Sequence, residues 1–450
     1  MSTEAGLSIE LSVVIPSHED AACLELTLRS LRRQSLALER FEVIVVRDGG
    51  DAGKYAGVAD AGKGLNLRYV ELDERRGRGG ARNEGVRHAT SPLLLFLDAD
   101  SYATPDLVQR HLTHHLDPSA PAVLMGRRDE SGIEHVHAAL ADEPTIPAPR
   151  RRVQGGGDLR FGTQEISDDD DWLRAGWVFC FTHNVSVSRT LFDAVGGFTE
   201  GFGLRWGLED MELFYRVHAH LGVLERNFAY DDLAAVYHLP HHRNLANNWN
   251  DFMGNLEVIG RQYPVVDWEF VGPLDLARSS DRIVHYRAAI ADCVRRSACR
   301  IAPAVEELAA RLPGHRVLWV GTGSAEAQLP EGSLTFDYGA PLSPTNFHLI
   351  GMRPPIEPQS LDAVVSVDFW RYLHWEDLCQ FVNAAATLAG EVHLVSTGEE
   401  LSAPFTPAPA TLDYLRQVLD AAFETSLLDV DGFGLALRLI PRHRPAVAAD

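Results

Sequence analysis

The chain has 450 residues, 45% of them hydrophobic and 23% charged, a formal net charge of -22, and five cysteines. That length suits two or three domains, and the acidity excludes a nucleic-acid partner or an anionic membrane surface, both of which need a basic face. The cysteines include no Cys-x-x-Cys pair, so neither a disulfide framework nor a zinc site is expected, and no apolar run approaches the roughly 18 to 20 residues that cross a bilayer. The amino terminus lacks the layout of a signal peptide, which makes the expected location cytoplasmic.

Taken in chain order, Leu11 to Ser17 reads as a buried strand stopping near Pro16, followed by a helix from about Ala22 to Arg33. A second strand, Phe41 to Val46, runs into Arg47-Asp48-Gly49-Gly50-Asp51, where glycines turn the backbone and leave a carboxylate at the strand end. A third, Leu67 to Leu72, leads to Gly77, Gly79 and Gly80 and a helical stretch to Ala89. Then Leu93 to Leu97 ends in Asp98-Ala99-Asp100. Alternating strands and helices with ligand-type residues at each strand end predict a parallel α/β sheet. Carboxylates at the end of a central strand face the crevice where such sheets bind ligands, and hard oxygen donors suit Mg2+ or Mn2+ shared with a diphosphate. Arg75, Arg76, Arg78, Arg82 and Arg87, set among glycines, match phosphate contact, whereas Arg150-Arg151-Arg152 reads as a solvated loop. The stretch from about Arg127 to Ala175, rich in proline and glycine, reads as a mobile lid, an acceptor-binding element or a plain surface insertion, and Asp168 to Asp171 as solvated charge. Trp206-Gly207-Leu208-Glu209-Asp210 opens a helix, its acids at the positive end of the dipole, where a cap is one use for them.

In the order Val13-Val14-Ile15-Pro16-Ser17, Val45-Val46-Arg47-Asp48-Gly49-Gly50, Ala81-Arg82-Asn83-Glu84-Gly85, Phe96-Leu97-Asp98-Ala99-Asp100, Gly196-Gly197-Phe198 and Trp206-Gly207-Leu208-Glu209-Asp210, the first half resembles the GT-A fold glycosyltransferases of family 2 type, to about His238. The resemblance implies a nucleoside-diphosphate sugar donor held by Pro16, Ser17, Glu19, Asp48, Arg82, Asn83, Asp98, Ala99 and Asp100. It implies a divalent metal, Mn2+ or Mg2+, on Asp100 with Asp98 and His238, with His241 and His242 as alternates to His238. Asp210 is then the general base, Glu209 an acceptor contact, and Trp177, His183, Asn184, Trp206 and Gly207 the lining of the acceptor and sugar pocket. Arg47 before Asp48 departs from the family, which commonly carries two adjacent acids there.

From 245 to 312 the pattern is helical, suited to linking domains or to self-association as a homo-oligomer. From 313 to 450 a second α/β pattern begins with Arg316 to Ser324, a strand entering a glycine turn, then Leu334 to Asp337, Leu361 to Val367 and Glu391 to Val395. It resembles a methyltransferase-like Rossmann domain, with Gly321, Gly323 and Asp337 at the S-adenosylmethionine position, but the third glycine is replaced near Ala325 and a cofactor is not expected. The expected organisation is a GT-A domain over 1–244, a helical linker over 245–312 and a methyltransferase-like, degenerate α/β domain over 313–450. The expected function is metal-dependent, inverting transfer of a sugar to a small-molecule acceptor in specialised metabolism. The rivals are a bifunctional glycosyltransferase and methyltransferase, and a non-catalytic nucleotide-binding scaffold.

Overall fold

Strands that are apolar along their whole length must be covered on both faces, which is the situation of a central parallel sheet. The computed structural model describes residues 9–146, 158, 160, 171–222, 226–272, 276–406, 411–430 and 434–443. They fall in two units, the first within Met1–Leu256 and Gly272–Asp281, the second within Glu257–Val271 and Arg282–Asp450.

In the first unit the order is β1 (Leu11–Ser17), α1 (Ala21–Leu31), β2 (Phe41–Asp48), α2 (Val58–Ala61), β3 (Leu67–Leu72), α3 (Gly77–His88), β4 (Leu93–Leu97), β5 (Ser101–Ala103), α4 (Leu107–Leu116), β6 (Val123–Glu130), α5 (Val136–Leu140), β7 (Asn184–Ser188), α6 (Arg189–Ala194), α7 (Glu209–Leu221) and β8 (Phe228–His238). They build one sheet in the order β3-β2-β1-β4-β7-β6-β8-β5. The first four strands run parallel, with Val13 opposite Val43 and Leu95, and β7 enters antiparallel beside β4. The strand order reverses between β1 and β4, so the crevice expected of an open α/β sheet opens at their carboxyl ends. Ser17 and the Asp98-Ala99-Asp100 turn stand there.

One sheet face packs Val13, Ile15, Val43, Val45 and Leu95 against Leu24, Leu28, Leu107 and Leu112 of α1 and α4. The other face receives α3. The residue pattern sets the glycines of α3 ahead of the helical stretch, but the helix already starts at Gly77, because the Asp48 carboxylate accepts the Arg76 and Gly77 amides at 2.6 and 2.9 Å and caps the helix from the end of β2. A side chain at Gly77 would place its Cβ 2.0 Å from the Gly203 carbonyl, so only glycine allows this approach.

A long helix, α8 (Leu245–Gln262), contains the boundary between the two units. The second unit adds α9 (Val266–Glu269), α10 (Leu276–Arg296) from Arg282 onward, α11 (Ile301–Leu308), β9 (Val317–Gly321), β10 (Leu334–Asp337), β11 (Leu361–Val367), α12 (Trp375–Leu388), β12 (Ala389–Ser396), α13 (Thr411–Leu419), β13 (Phe423–Val430) and β14 (Gly434–Pro441). Its sheet runs β10-β9-β11-β12-β14-β13, parallel through β12 and closed by an antiparallel hairpin. This is a second α/β domain. Among the described residues no helix is long and apolar enough to cross a membrane.

Candidate active site

The Asp98-Ala99-Asp100 turn lies at the carboxyl end of β4, held by the Thr27 hydroxyl on the Ala99 carbonyl at 2.8 Å. Asp100 is buried and directs Oδ2 at two imidazoles, His238 Nε2 at 3.3 Å and His241 Nδ1 at 2.9 Å. His238 arrives at the end of β8, where Ser101 pairs with it across the sheet, so the metal-type residues meet through strand register and not through sequence proximity. One ligand atom from each of Asp100, His238 and His241 lies within 4.8 Å of the others. Burial works to raise the Asp100 carboxyl, but the hydrogen bonds and charges of His238 and His241 outweigh it and hold the group well below the usual range. The hydrogen bond to Asp100 correspondingly raises His241.

The second carboxylate of the triplet points elsewhere. Asp98 Oδ1 accepts from Arg82 Nη2 at 2.8 Å, and Arg82 Nη1 reaches Glu209 Oε1 at 3.2 Å. Arg82 is completely buried and lies 5.5 Å from the centre of the Phe198 ring. One guanidinium therefore joins the strand-end acid to the acid that opens α7. Leu208, in front of that helix, takes a left-handed φ of 74°, a turn that brings Glu209 and Asp210 in together. Asp210 accepts from the Met211 amide at 2.9 Å and the Thr182 amide at 3.3 Å. Burial, reinforced by the Glu209 charge, pushes the Asp210 carboxyl up to about 7.

Several other residues read as contacts are engaged within the fold. Pro16 is buried within β1 opposite Val46, and Glu19 turns outward to Lys54 and the Asp51 amide. Asn83 is bonded to the Phe198 backbone, and its amide also reaches Glu200 at 2.9 Å. Asn184 is buried between His111 and the carbonyls of Arg127 and Ala234. Trp177 is wholly buried against Tyr215, with ring centres 5.1 Å apart. Trp206 is exposed, its amide bonded to Asp251 and its ring tilted 6.5 Å from Phe252, while the Gly207 carbonyl accepts from Asn255 at 2.7 Å. His183 is buried with neither ring nitrogen hydrogen-bonded among the described residues. His242 is exposed and does not join the cluster of Asp100, His238 and His241.

Three further residues of the site are not singled out by the residue pattern. Asp20 accepts from the Ser17 hydroxyl and is pushed up to about 7 by burial, with Asp100 and Asp98 adding to the shift. Glu130 contacts His238 Nδ1 at 3.0 Å. Burial raises it, but His238 and Arg128 bring it down to about 2. Arg243 Nη2 lies 2.9 Å from Nδ1 and 2.5 Å from Nε2 of the same ring. Glu130, like Asp98 and Asp48, is an acid at a strand end, and that was the available signal. Asp158 and Arg160 form a buried pair that also bonds Gly126 and Phe179, while Arg150 to Arg152, Gly155 to Gly157 and Asp168 to Asp170 lie outside the described residues.

The family model for Glycosyl transferase family 2 matches residues 12–193, and the one described as N-terminal domain of galactosyltransferase matches residues 173–242. Residues 12–193 thus match a glycosyltransferase family 2 domain. Among relatives of this chain, the validoxylamine A glucosyltransferase of Streptomyces hygroscopicus subsp. jinggangensis is 34% identical over 265 residues, covering 56% of this chain and 61% of the relative. The glycosyltransferase YfnE of Bacillus subtilis, described as uncharacterized, is 28% identical over 239 residues, 47% of this chain and 60% of the relative. The chain thus spans about three fifths of the length of these curated relatives. The crystal structure of S. aureus TarS 1-349 with UDP-GlcNAc aligns with 62% of this chain and 71% of its own at 17% identity and a TM-score of 0.43, too distant a likeness to inform the site.

In the second unit, the Asp337 carboxylate accepts from the amides of Gly323, Ser324 and Gly339 at 3.2, 2.7 and 2.9 Å and from the Ser324 hydroxyl. A Cβ on Gly321 would lie 2.2 Å from the Cys299 carbonyl. The acceptor capacity a ribose would need is taken up by the loop, and the glycine turn packs on the chain's own backbone. These residues do not fit S-adenosylmethionine.

Proposed function

We propose that the chain transfers a sugar from a nucleoside-diphosphate sugar to a small-molecule acceptor with inversion at the anomeric carbon. The observation that carries this reading is the convergence, at the strand-order reversal, of Asp100, His238 and His241 on one side and Arg82, Glu209 and Asp210 on the other. Two carboxylate oxygens there, Asp100 Oδ1 and Glu209 Oε2, are buried without a hydrogen-bond partner among the described residues, which is the state of groups whose partner is a ligand.

The donor set fits a divalent cation: a hard carboxylate with one oxygen still open and two imidazoles suit Mn2+, with Mg2+ as the harder alternative. Asp100, His238 and His241 would hold it, and the ion when bound neutralises charge on the departing diphosphate. The protein's own residues do the rest. Glu130, on Nδ1, sets the orientation of His238 so that Nε2 faces Asp100. Asp210 takes the proton from the acceptor as its nucleophile bonds to the anomeric carbon and the bond from that carbon to the diphosphate oxygen breaks. A carboxylate poised at about 7 suits a general base working near neutral pH. Glu209, held by Arg82, keeps its second oxygen for an acceptor hydroxyl.

The test is a thermal-shift panel of UDP, dTDP, GDP and CDP with and without Mn2+. A nucleotide at 100 times its dissociation constant stabilises by about 2.7 kcal/mol. One nucleotide shifting the transition only with Mn2+, and losing that shift in Asp100→Asn, supports the reading. Absence of any nucleotide shift, with or without metal, overturns it.

A further inference from the structure

Apart from the cluster of Asp100, His238 and His241, the first unit holds a surface cleft of about 220 Å3. One wall is the first turn of α3, with Arg76 and Arg78, and the other is the 199–205 loop, with Arg205. The walls are joined where the Gly203 carbonyl packs on Gly77, and Asn83 ties α3 to the Phe198 carbonyl and the Glu200 carboxylate, each at 2.9 Å. Glu209, 6% exposed, lines the cleft as well and forms its buried end. Its Oε1 is held by Arg82, and its Oε2 has no hydrogen-bond partner among the described residues.

The three arginines are exposed, and their charges are unequally used. Arg76 reaches Glu84 at 3.2 Å. Arg78 and Arg205 have no ion pair among the described residues, in a chain where 63 acids face 41 basic residues. The Glu200 carboxylate in the same cleft is engaged by Asn83 and by neither of them. Asp48 already caps α3, so the positive charge of the cleft is that of guanidinium groups and not of the helix end. The lining does not include Asp98, Asp100 or His238. Arg82 stands between the two places, with Nη2 on Asp98 and Nη1 on Glu209, so the cleft meets the Glu209 side and not the metal-type side. An anion seated there is separate from a diphosphate at Asp100.

We infer that the acceptor carries an anionic group, phosphate or carboxylate, which sits on Arg78 and Arg205 while the acceptor's nucleophile lies at Glu209, next to Asp210. The inference rests on the glycosyl-transfer reading and deepens it by naming the chemical class of the acceptor. A guanidinium binds phosphate and carboxylate oxygens through paired N–H donors, whereas a neutral acceptor leaves both charges uncompensated. The residue pattern matches Arg78 to phosphate contact; its place in the cleft assigns that contact to the acceptor and adds Arg205, which the pattern does not single out.

The experiment is calorimetric titration of inorganic phosphate, glucose 6-phosphate, glucuronate and glucose into the wild-type chain, Arg78→Gln and Arg205→Gln. Each protein is first saturated with Mg2+ and whichever of UDP, dTDP, GDP and CDP binds, so that the donor end is filled. Both arginines are exposed, and their substitution leaves the fold intact. The expected result is that the wild type binds an anionic probe at least about ten-fold more tightly than glucose, that either variant loses about ten-fold of that affinity, and that the nucleotide binds the variants within about two-fold of wild type. Preference between glucose 6-phosphate and glucuronate tells phosphate from carboxylate. Anions that bind no better than glucose, or that bind the variants as well as the wild type, overturn the inference. So do variants that weaken the nucleotide as much as the anion, which would give both arginines to the donor. If no nucleotide binds the wild type, glycosyl transfer itself fails and the acceptor assignment with it. If nucleotides bind while Arg78 and Arg205 are indifferent to the anions, only this inference fails.

Discussion

At the scale of single residues, Arg82 is the group on which most depends, because it is buried and serves two acids at once. Arg82→Met leaves Glu209 buried without its cation, and the expected cost is about 3 kcal/mol, read from urea unfolding. Arg82→Lys should recover little of it, since an ammonium cannot fork to two carboxylates. Asp210 makes a pH prediction whose sign is fixed by its folded-state value of about 7. A carboxyl raised above its unfolded value binds its proton more tightly in the fold. Its contribution to stability is complete below about pH 4, is lost as pH rises towards 7, and is flat beyond. Asp210→Asn should therefore melt higher than wild type at pH 8 and about equally at pH 4, while kcat falls by roughly 100-fold or more. The wild-type kcat/KM should climb to a plateau with its midpoint near 7; a profile flat from pH 5 to 9 would remove Asp210 from the role of base.

At the scale of elements, α3 shows packing overriding propensity. A methyl group at Gly85 would meet Val14 Cγ1 at 2.5 Å and Val46 Cγ2 at 3.3 Å. Alanine is the better helix former by about 1 kcal/mol, yet Gly85→Ala should destabilise by about 1 kcal/mol net, because overpacking against two strands costs more; a higher denaturation midpoint would show that the helix can shift. The same helix marks where sequence reading succeeds and stops. Parallel strands and their terminal acids were legible because burial on both faces leaves unbroken apolar runs, as in β1, β2 and β4. The start of α3 was not, since its cap, Asp48, lies 28 residues upstream of Arg76. The Asp100 and His238 contact was legible only through family resemblance, for it depends on the register of β5 with β8. Asp20 needed the three-dimensional neighbours that shift it, which no local pattern records, and Glu130 offered only its place at the end of a strand.

For the molecule as a whole, the two sheets differ in what they offer a ligand. The first leaves buried oxygens open at its crevice, whereas the second closes its glycine turn on Cys299 and commits Asp337 to its own loop. Hydrogen exchange with a nucleoside diphosphate and Mn2+ should slow amides in β1, in the 98–103 segment and around residues 182–184 and 238–241, with no change in β9 to β11. Protection at residues 321–324 upon addition of S-adenosylhomocysteine would contradict that division. A net charge of -22 sharpens the point, because the anionic donor proposed above would approach against the field of the whole chain and depend on the few cations that the site presents.

The shared guanidinium of Arg82 has a kinetic meaning. Under the proposed transfer reading, a charge arriving beside Asp98 would draw on the same cation that restrains Glu209, so donor and acceptor binding would be thermodynamically linked, each altering the affinity of the other by an equal factor. Steady-state analysis should then show a sequential mechanism in which the first substrate lowers the dissociation constant of the second, and Arg82→Met should make the two bind as strangers.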